Sequence, residues 1–405
     1  MTIKKFDFVI IGSGAIGLFI AYQLKEKFEK SSVLIIEKEK QSGTHTSGRN
    51  SGVLHAGIYY EPNSLKAKVC QSGANRLKMW IEANSLPLNK CGKVIVPQDS
   101  NLDKQIDILV ERASANNVDV ELWNEKELRT FFPEARSASG RALWSPNTCV
   151  TNPKKVIEQL VKDLEDKGVE FSYEAKISKY PSNNNRIELN NVTQIDFGYL
   201  FNCAGLYAVE IAQKFDVGLE FKVIPFKGSY WQLKKNCQLD IPSNLYPVPD
   251  LDLPFLGIHF TPSAEASPRI YIGPTANIAL GRENYKLTEG IEPLHLAQNI
   301  ATLGTQYISN NGKFRKYFHE QSPQAFKPFM IKHAKKLIPN LRNEHIEKSS
   351  KVGIRAQLYC MKKEKLIQDF ICIKKENTMH VLNGISPAFT ASFELADLII
   401  NKSSL

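Results

Sequence analysis

The chain is short of cysteine and has no two cysteines near each other. Seven occur in 405 residues: Cys70, Cys91, Cys149, Cys203, Cys237, Cys360 and Cys372. With no CxxC pair, a zinc ribbon is excluded. An odd, scattered set reads as free thiols, buried as small hydrophobes, in a reducing compartment. Long hydrophobic runs are also missing; none approaches the ~20 residues a membrane helix needs. The motifs GxxxxGK[ST], HExxH and GxSxG do not occur, so phosphoryl transfer, zinc proteolysis and hydrolase-elbow chemistry have no support. No basic segment with an apolar stretch and a small-residue cleavage site precedes the first strand, so neither a signal peptide nor a long transit peptide is expected. There is no internal repeat. The one low-complexity tract, Asn183 to Asn185, reads as a turn.

What is present is ordinary for a globular protein: 42% hydrophobic and 23% charged residues. The length suggests roughly two to three domains. Basic side chains outnumber acidic ones 52 to 42, a net charge of +10. Clusters such as Lys332, Lys335, Lys336 and Lys362, Lys363, Lys365 read first as a solvated surface. No nucleic-acid motif accompanies the charge, and no nucleic-acid partner is expected. Positive potential suits a small anionic substrate or contact with an anionic membrane surface.

The N-terminus carries the clearest motif. Phe6 to Ile11 is β-rich, and Gly12-Ser13-Gly14-Ala15-Ile16-Gly17 follows it. Leu18, Ile20, Ala21, Leu24 and Phe28 then recur at helical spacing. A second β-rich run, Val33 to Ile36, ends in Glu37. GxGxxG therefore sits inside a βαβ unit. Gly12 permits the turn, Gly14 lets backbone approach a pyrophosphate, and Gly17 lets helix and strand pack closely. The helix N-terminus faces the phosphates, and Glu37 accepts from the ribose hydroxyls, which argues against a 2′-phosphate. The stretch after Glu37 is rich in Ser, Thr, Arg, Asn and Gly. It suits a chain wrapped around a flavin dinucleotide better than a plain NAD-binding unit.

The run Ser47-Gly-Arg-Asn-Ser-Gly-Val-Leu-His-Ala-Gly-Ile-Tyr-Tyr60, taken with the glycine motif, resembles the DAO-type FAD oxidoreductases, and within them the L-2-hydroxyglutarate dehydrogenase/oxidase branch. Ile224 to Trp231, Tyr246 to Asp250, Pro254 to Pro262, Ile272 to Pro274, Arg282 to Tyr285, Gly353 to Gln357 and Ser386 to Thr390 extend the similarity, in order, almost to the C-terminus. Two departures touch the substrate side: Lys227 stands where that branch often has arginine, and Ala264 to Pro268 is less acidic and lacks glycine.

The resemblance implies an α/β fold (α+β overall). A Rossmann-like FAD-binding domain is interleaved with a smaller, mostly antiparallel β substrate domain. The expected division assigns residues 1–85, 148–221 and 345–405 to the FAD-binding domain and 86–147 and 222–344 to the substrate domain. Helices are expected over Leu65 to Ala83, Leu102 to Asn116, Thr151 to Lys167 and Thr390 to Ile400. Strand-like runs include Val94 to Val96, Leu200 to Gly205 and Val381 to Gly384.

The implied cofactor is non-covalent FAD, since no attachment cysteine is evident. Its expected contacts are Gly12, Ser13, Gly14, Ala15, Ile16, Gly17, Glu37, Lys38, Thr46, Ser47, Arg49, Asn50, Ser51, Gly52, Ala204, Gly205, Gly353, Gly384, Ser386, Pro387 and Ala388. A flavin carries the hydride chemistry, so the protein must bind, orient and remove one proton. His55 and His259 are the candidates for base and substrate-orienting group, in either assignment. His45 falls nearer the phosphate side. Arg355 is the best carboxylate clamp. Arg282, Lys227 and Tyr60 follow, and Tyr59 and Tyr246 are further phenol donors. The implied reaction is oxidation of L-2-hydroxyglutarate, or a similar 2-hydroxy acid, to the 2-oxo acid, with electrons passing to quinone or oxygen. Amino-acid, glycine or sarcosine oxidation and glycerol-3-phosphate oxidation are the alternatives on the same scaffold. A flavin-binding interaction module is the alternative of another class. The expected location is cytoplasmic, with peripheral contact on the inner membrane face as the second reading. No metal is expected.

Overall fold

The computed structural model describes residues 3–181, 185–249, 256–310 and 314–405. Strand β1 (Ile3–Ile11), helix α1 (Ala15–Lys27) and strand β2 (Val33–Ile36) form the expected βαβ unit. All four residues of β2 are buried, as a parallel strand covered on both faces requires. From Phe8 onward, side chains alternate between two cores. Phe8, Ile10 and Ile35 pack under α1, whereas Val9, Ile11, Leu34 and Ile36 pack on the opposite face. Gly12 adopts φ +99°, and a Cβ on Gly17 would lie 2.1 Å from the Gly12 carbonyl oxygen. Turn and helix therefore meet at a distance only glycine allows.

Among the described residues, this first sheet has eight strands. Thr193–Asn202 lies parallel to β1, and Glu170–Ser172 lies parallel to β2. Thr378–Asn383 runs parallel to the end of Thr193–Asn202. Helix α2 (Leu65–Ala83), Pro153–Asp166 and Ser392–Ser403 complete the layer over α1. Pro153–Asp166 lies within the expected Thr151 to Lys167 and starts two residues later: the Asn152 side chain accepts from Lys154 and Lys155 N–H, and proline takes the first helical position.

The second sheet has ten strands among the described residues. Its pairings are antiparallel except that of Asn244–Pro247 with Lys93–Val96. The spine is Phe221–Leu233 against Ile346–Cys360, with Phe226 opposite Arg355 and Lys227 opposite Ile354. The fold is thus mixed α/β, with a largely parallel core in one sheet and an antiparallel second sheet. A small third sheet joins Val53–Leu54 and Leu88–Asn89 to Cys149–Thr151.

Some segments differ from the sequence reading. Gly353 to Gln357, given no secondary structure in the sequence reading, lies inside one 15-residue strand, Ile346–Cys360. That strand, although past residue 345, belongs to the second sheet, because its partner is the distant strand Phe221–Leu233. The Asn183–Asn185 turn lies partly outside the described residues, as do Asp250, Pro254 and Phe255 of the distinctive stretches. All seven cysteines are free. Among the described residues, no helix is long and apolar enough to cross a membrane.

Candidate active site

A cavity of about 1470 Å³ runs from the glycine turn to the second sheet. At one end it is lined by Gly12, Gly14, Ala15, Ile16, Glu37 and Lys38. Gly14, the residue preceding α1, places no side chain over the helix start. The positive end of that helix therefore borders the cavity. Ser47 Oγ accepts from Ala15 N–H at 2.8 Å, which ties the glycine-rich segment to the helix. Glu37 directly follows β2 and accepts from Ser13 N–H (3.0 Å), Ser13 Oγ–H (2.7 Å) and Glu39 N–H (3.0 Å). A carboxylate has about four acceptor sites, so three protein donors leave capacity for a ligand hydroxyl.

The middle of the cavity is backbone and small side chains. Thr46, Arg49, Asn50, Ser51, Ala204, Gly205, Gly353, Gly384, Ser386, Pro387 and Ala388 all line it. Thr46 Oγ1 donates to the Ile354 carbonyl at 2.9 Å, so the loop after β2 is pinned to the second sheet. Ser13, Gly17 and Gly52 stand behind this wall and shape it rather than line it.

The other end holds both candidate histidines. His259 begins a strand, and its Nδ1–H donates to the Gly257 carbonyl at 2.8 Å. That bond assigns the tautomer and leaves Nε2 with the lone pair. Burial, helped by the Lys93 charge, pushes the His259 pKa down to about 4. His55 follows the Val53–Leu54 strand, and its Nε2 lies 3.4 Å from Ser386 Oγ. Burial holds it well below the usual histidine range, and Lys93 and His259 add to the effect. Both imidazoles are therefore neutral at physiological pH. His55 Nδ1 and the Tyr59 hydroxyl are buried with no hydrogen-bond partner among the described residues, which suits them to a ligand.

Cations surround this end. Arg355 and Lys66 line the cavity, with Tyr60 beside them. Lys93 is buried next to it, its ammonium 4.7 Å from the Tyr246 ring and 5.1 Å from the Tyr59 ring. Burial lowers the pKa of both Lys66 and Lys93 to about 7. A site this positive favours an anionic ligand.

Two candidates lie elsewhere. Arg282 bonds Glu292 and Glu210 and sits over the Tyr207 ring; Glu210 and Tyr207 line the cavity, whereas the arginine stands behind them in a structural ion network. Lys227 donates to Asn284 Oδ1 (3.3 Å) and to the Lys286 carbonyl (3.0 Å). Its neighbours Phe226 and Gly228 line the cavity, and strand alternation turns Lys227 the other way. His45 contacts Glu39, Lys38 and Tyr285 near the Glu37 end. The sequence does not single out Lys66 or Lys93. Lys66 reads there as a helix-surface residue. Lys93 carries a weak signal, a lysine opening the fully buried run Lys93–Val96.

The fold and cavity define a flavin-dinucleotide oxidoreductase. The DAO family model, FAD dependent oxidoreductase, matches residues 7–401, and the chain belongs to this family. Its cofactor is FAD. The residues present fit that group: an open helix start, a strand-end carboxylate and a backbone-lined channel follow one another along the wall. The chain is 31% identical over 419 aligned positions to the mitochondrial L-2-hydroxyglutarate dehydrogenase of Caenorhabditis elegans, covering 100% of this chain and 94% of that protein. It is 29% identical over 401 positions to L-2-hydroxyglutarate dehydrogenase of Escherichia coli strain K12, covering 98% and 93%. Among solved structures it is similar to an FAD-bound L-alpha-glycerophosphate oxidase from Mycoplasma pneumoniae, with TM-score 0.76, 20% identity and coverage of 99% and 95%. It is also similar to glycine oxidase from Geobacillus kaustophilus, with TM-score 0.71, 13% identity and coverage of 98% and 94%. These two likenesses concern the fold.

Proposed function

We propose that the enzyme oxidises L-2-hydroxyglutarate, or a closely similar 2-hydroxy acid, to the 2-oxo acid. The observation that carries this reading is the meeting of two neutral histidines with Arg355 at one end of the cavity. Relatives named for that substrate match over 98% or more of the chain. FAD, when bound, supplies the hydride acceptor at N5. The protein's own task is to hold the acid and take the hydroxyl proton. His259 is the base in this reading, because its Nδ1 proton is committed to Gly257 and its Nε2 is free to accept. His55, beside Ser386, orients the substrate, and Arg355 holds a carboxylate. Glu37 binds the ribose, and Ser386 to Ala388 border the flavin ring.

The residues of the first sheet and their covering helices form the FAD-binding part in this reading, and the second sheet forms the substrate part. Electrons leave to a membrane quinone or to oxygen. Exposed Phe326 and Phe329, close in the chain to the exposed Lys332, Lys335 and Lys336, support peripheral contact of a cytoplasmic enzyme with an anionic membrane face. Retention in the supernatant with anionic vesicles at low salt would remove that part.

The reaction is tested by an anaerobic absorbance spectrum. Bleaching of the flavin band near ~450 nm on adding L-2-hydroxyglutarate supports the reading. Bleaching by glycine or glycerol 3-phosphate instead would replace it.

A further inference from the structure

Lys66 stands at the second position of α2, and the acid nearest to it is already engaged. Asp369 accepts from Leu65 N–H (2.8 Å), Lys66 N–H (3.1 Å) and Phe370 N–H (2.8 Å). All three donors are main-chain groups, so this carboxylate holds the start of the helix. The Lys66 ammonium passes 5.8 Å from the Tyr60 ring centroid and 6.0 Å from that of Phe370. It lines the cavity together with Arg355, and the two cations repel. Among the described residues, no carboxylate stands within ion-pair distance of the Lys66 ammonium, and Asp369 offsets its charge only from a distance.

The wall's other lysines and its arginines apart from Arg355 are engaged by neighbours or lie at its exposed rim. Lys38 pairs with Glu39 and Glu283. Arg49 donates to the Thr44 carbonyl and covers the Tyr285 ring. Arg112 bonds the Tyr59 carbonyl and Glu61. Lys176, Lys363 and Lys365 are on the exposed rim. A cation placed beside a guanidinium in a partly desolvated wall is unfavourable by itself. An anionic ligand removes that cost. A monocarboxylate needs one such cation, and a dicarboxylate has use for two.

We propose that Lys66 receives the second carboxylate of the substrate while Arg355 holds the first, which makes Lys66 the residue that selects dicarboxylic over monocarboxylic 2-hydroxy acids. This rests on the assignment of the site to 2-hydroxy-acid oxidation. It adds a specificity determinant on α2, an element of the first sheet's helical layer, to a clamp carried by the second sheet.

The test separates binding from turnover. Glutarate carries both carboxylates but has no hydroxyl to oxidise, and valerate carries one. Their dissociation constants are measured on the FAD-loaded enzyme by calorimetry, for the wild type, K66M and K66R. Wild type should prefer glutarate. K66M should weaken glutarate about 30-fold, the equivalent of losing one desolvated charge partner, while valerate changes by less than about twofold. K66R should recover most of the glutarate affinity. Flavin content and thermal midpoint report on folding; if K66M fails these controls, K66R and K66Q replace it in the same comparison. In turnover, K66M should raise KM for L-2-hydroxyglutarate but not for L-2-hydroxyvalerate. Equal weakening of glutarate and valerate, an unchanged glutarate constant, or a wild type without preference for glutarate would each overturn the assignment. If the dicarboxylate preference is found and lost in K66M, yet L-2-hydroxyglutarate does not reduce the flavin, the reaction reading fails and the two-cation site stands.

Discussion

The Tyr246 ring stacks on His259 with centroids 3.9 Å apart and planes 18° from parallel. The same tyrosine lies 4.7 Å from the Lys93 ammonium. The imidazole is thus enclosed by an aromatic face, a buried cation and the Gly257 carbonyl, with His55 nearby. This setting opposes protonation of His259. In a pH profile of kcat/KM, which reports the free enzyme, the acid limb from His259 should fall near pH 4 rather than near 6.5. The sign for stability follows. The folded value is depressed, so the contribution is complete above about 6.5 and is lost as pH falls toward 4. Lys93→Met should move the acid limb upward by removing the like charge; an unmoved limb would detach Lys93 from the histidine.

Lys66 should appear on the alkaline side. Burial is the largest effect on its charge, and Arg355, Asp369 and Cys70 act on it as well. Its ammonium is charged below about pH 7 and neutral above it. The wild-type kcat/KM for a dicarboxylic substrate should therefore decline above about pH 7. K66R should shift that decline upward, because arginine stays charged. A decline at the same pH in K66R would assign it to another group.

Arg355 and Arg282 make a contrasting pair. Arg355→Ala should raise KM for the dicarboxylate roughly a hundredfold, with FAD retained. Arg282→Ala should leave KM unchanged but lower thermal stability by about 2 kcal/mol, since Glu292 and Glu210 lose a charged donor. Steady-state kinetics and a melting curve on each variant distinguish the two roles. A raised KM in Arg282→Ala would return that residue to the substrate site.

Glu37→Ala should release FAD. The mutation removes the strand-end acceptor and frees Ser13, so the dissociation constant should rise about tenfold or more. The flavin-to-protein ratio after gel filtration measures it. A fully loaded variant would show that the ribose does not depend on Glu37.

The local part of this protein is written in its sequence. Glycine at 12, 14 and 17, a β-rich run on either side of an apolar helical stripe, and a terminal glutamate specify strand, turn, helix and strand through steric and periodic rules that need no distant partner. Asn152-Pro153 marks its helix start for the same reason. The pocket chemistry is decided by tertiary structure. Arg355 faces the cavity because Ile346–Cys360 pairs in one register with Phe221–Leu233, and a one-residue slip would turn it away. Arg282 looks equivalent in sequence, but its guanidinium finds Glu210 and Glu292. Lys66 looks like a solvated helix residue, and only the docking of α2 against Asp369 and Phe370 carries its ammonium into the wall. Charge and residue type belong to the sequence; which charges meet, and which are left for a ligand, depends on long-range packing that desolvates some of them and pairs the others.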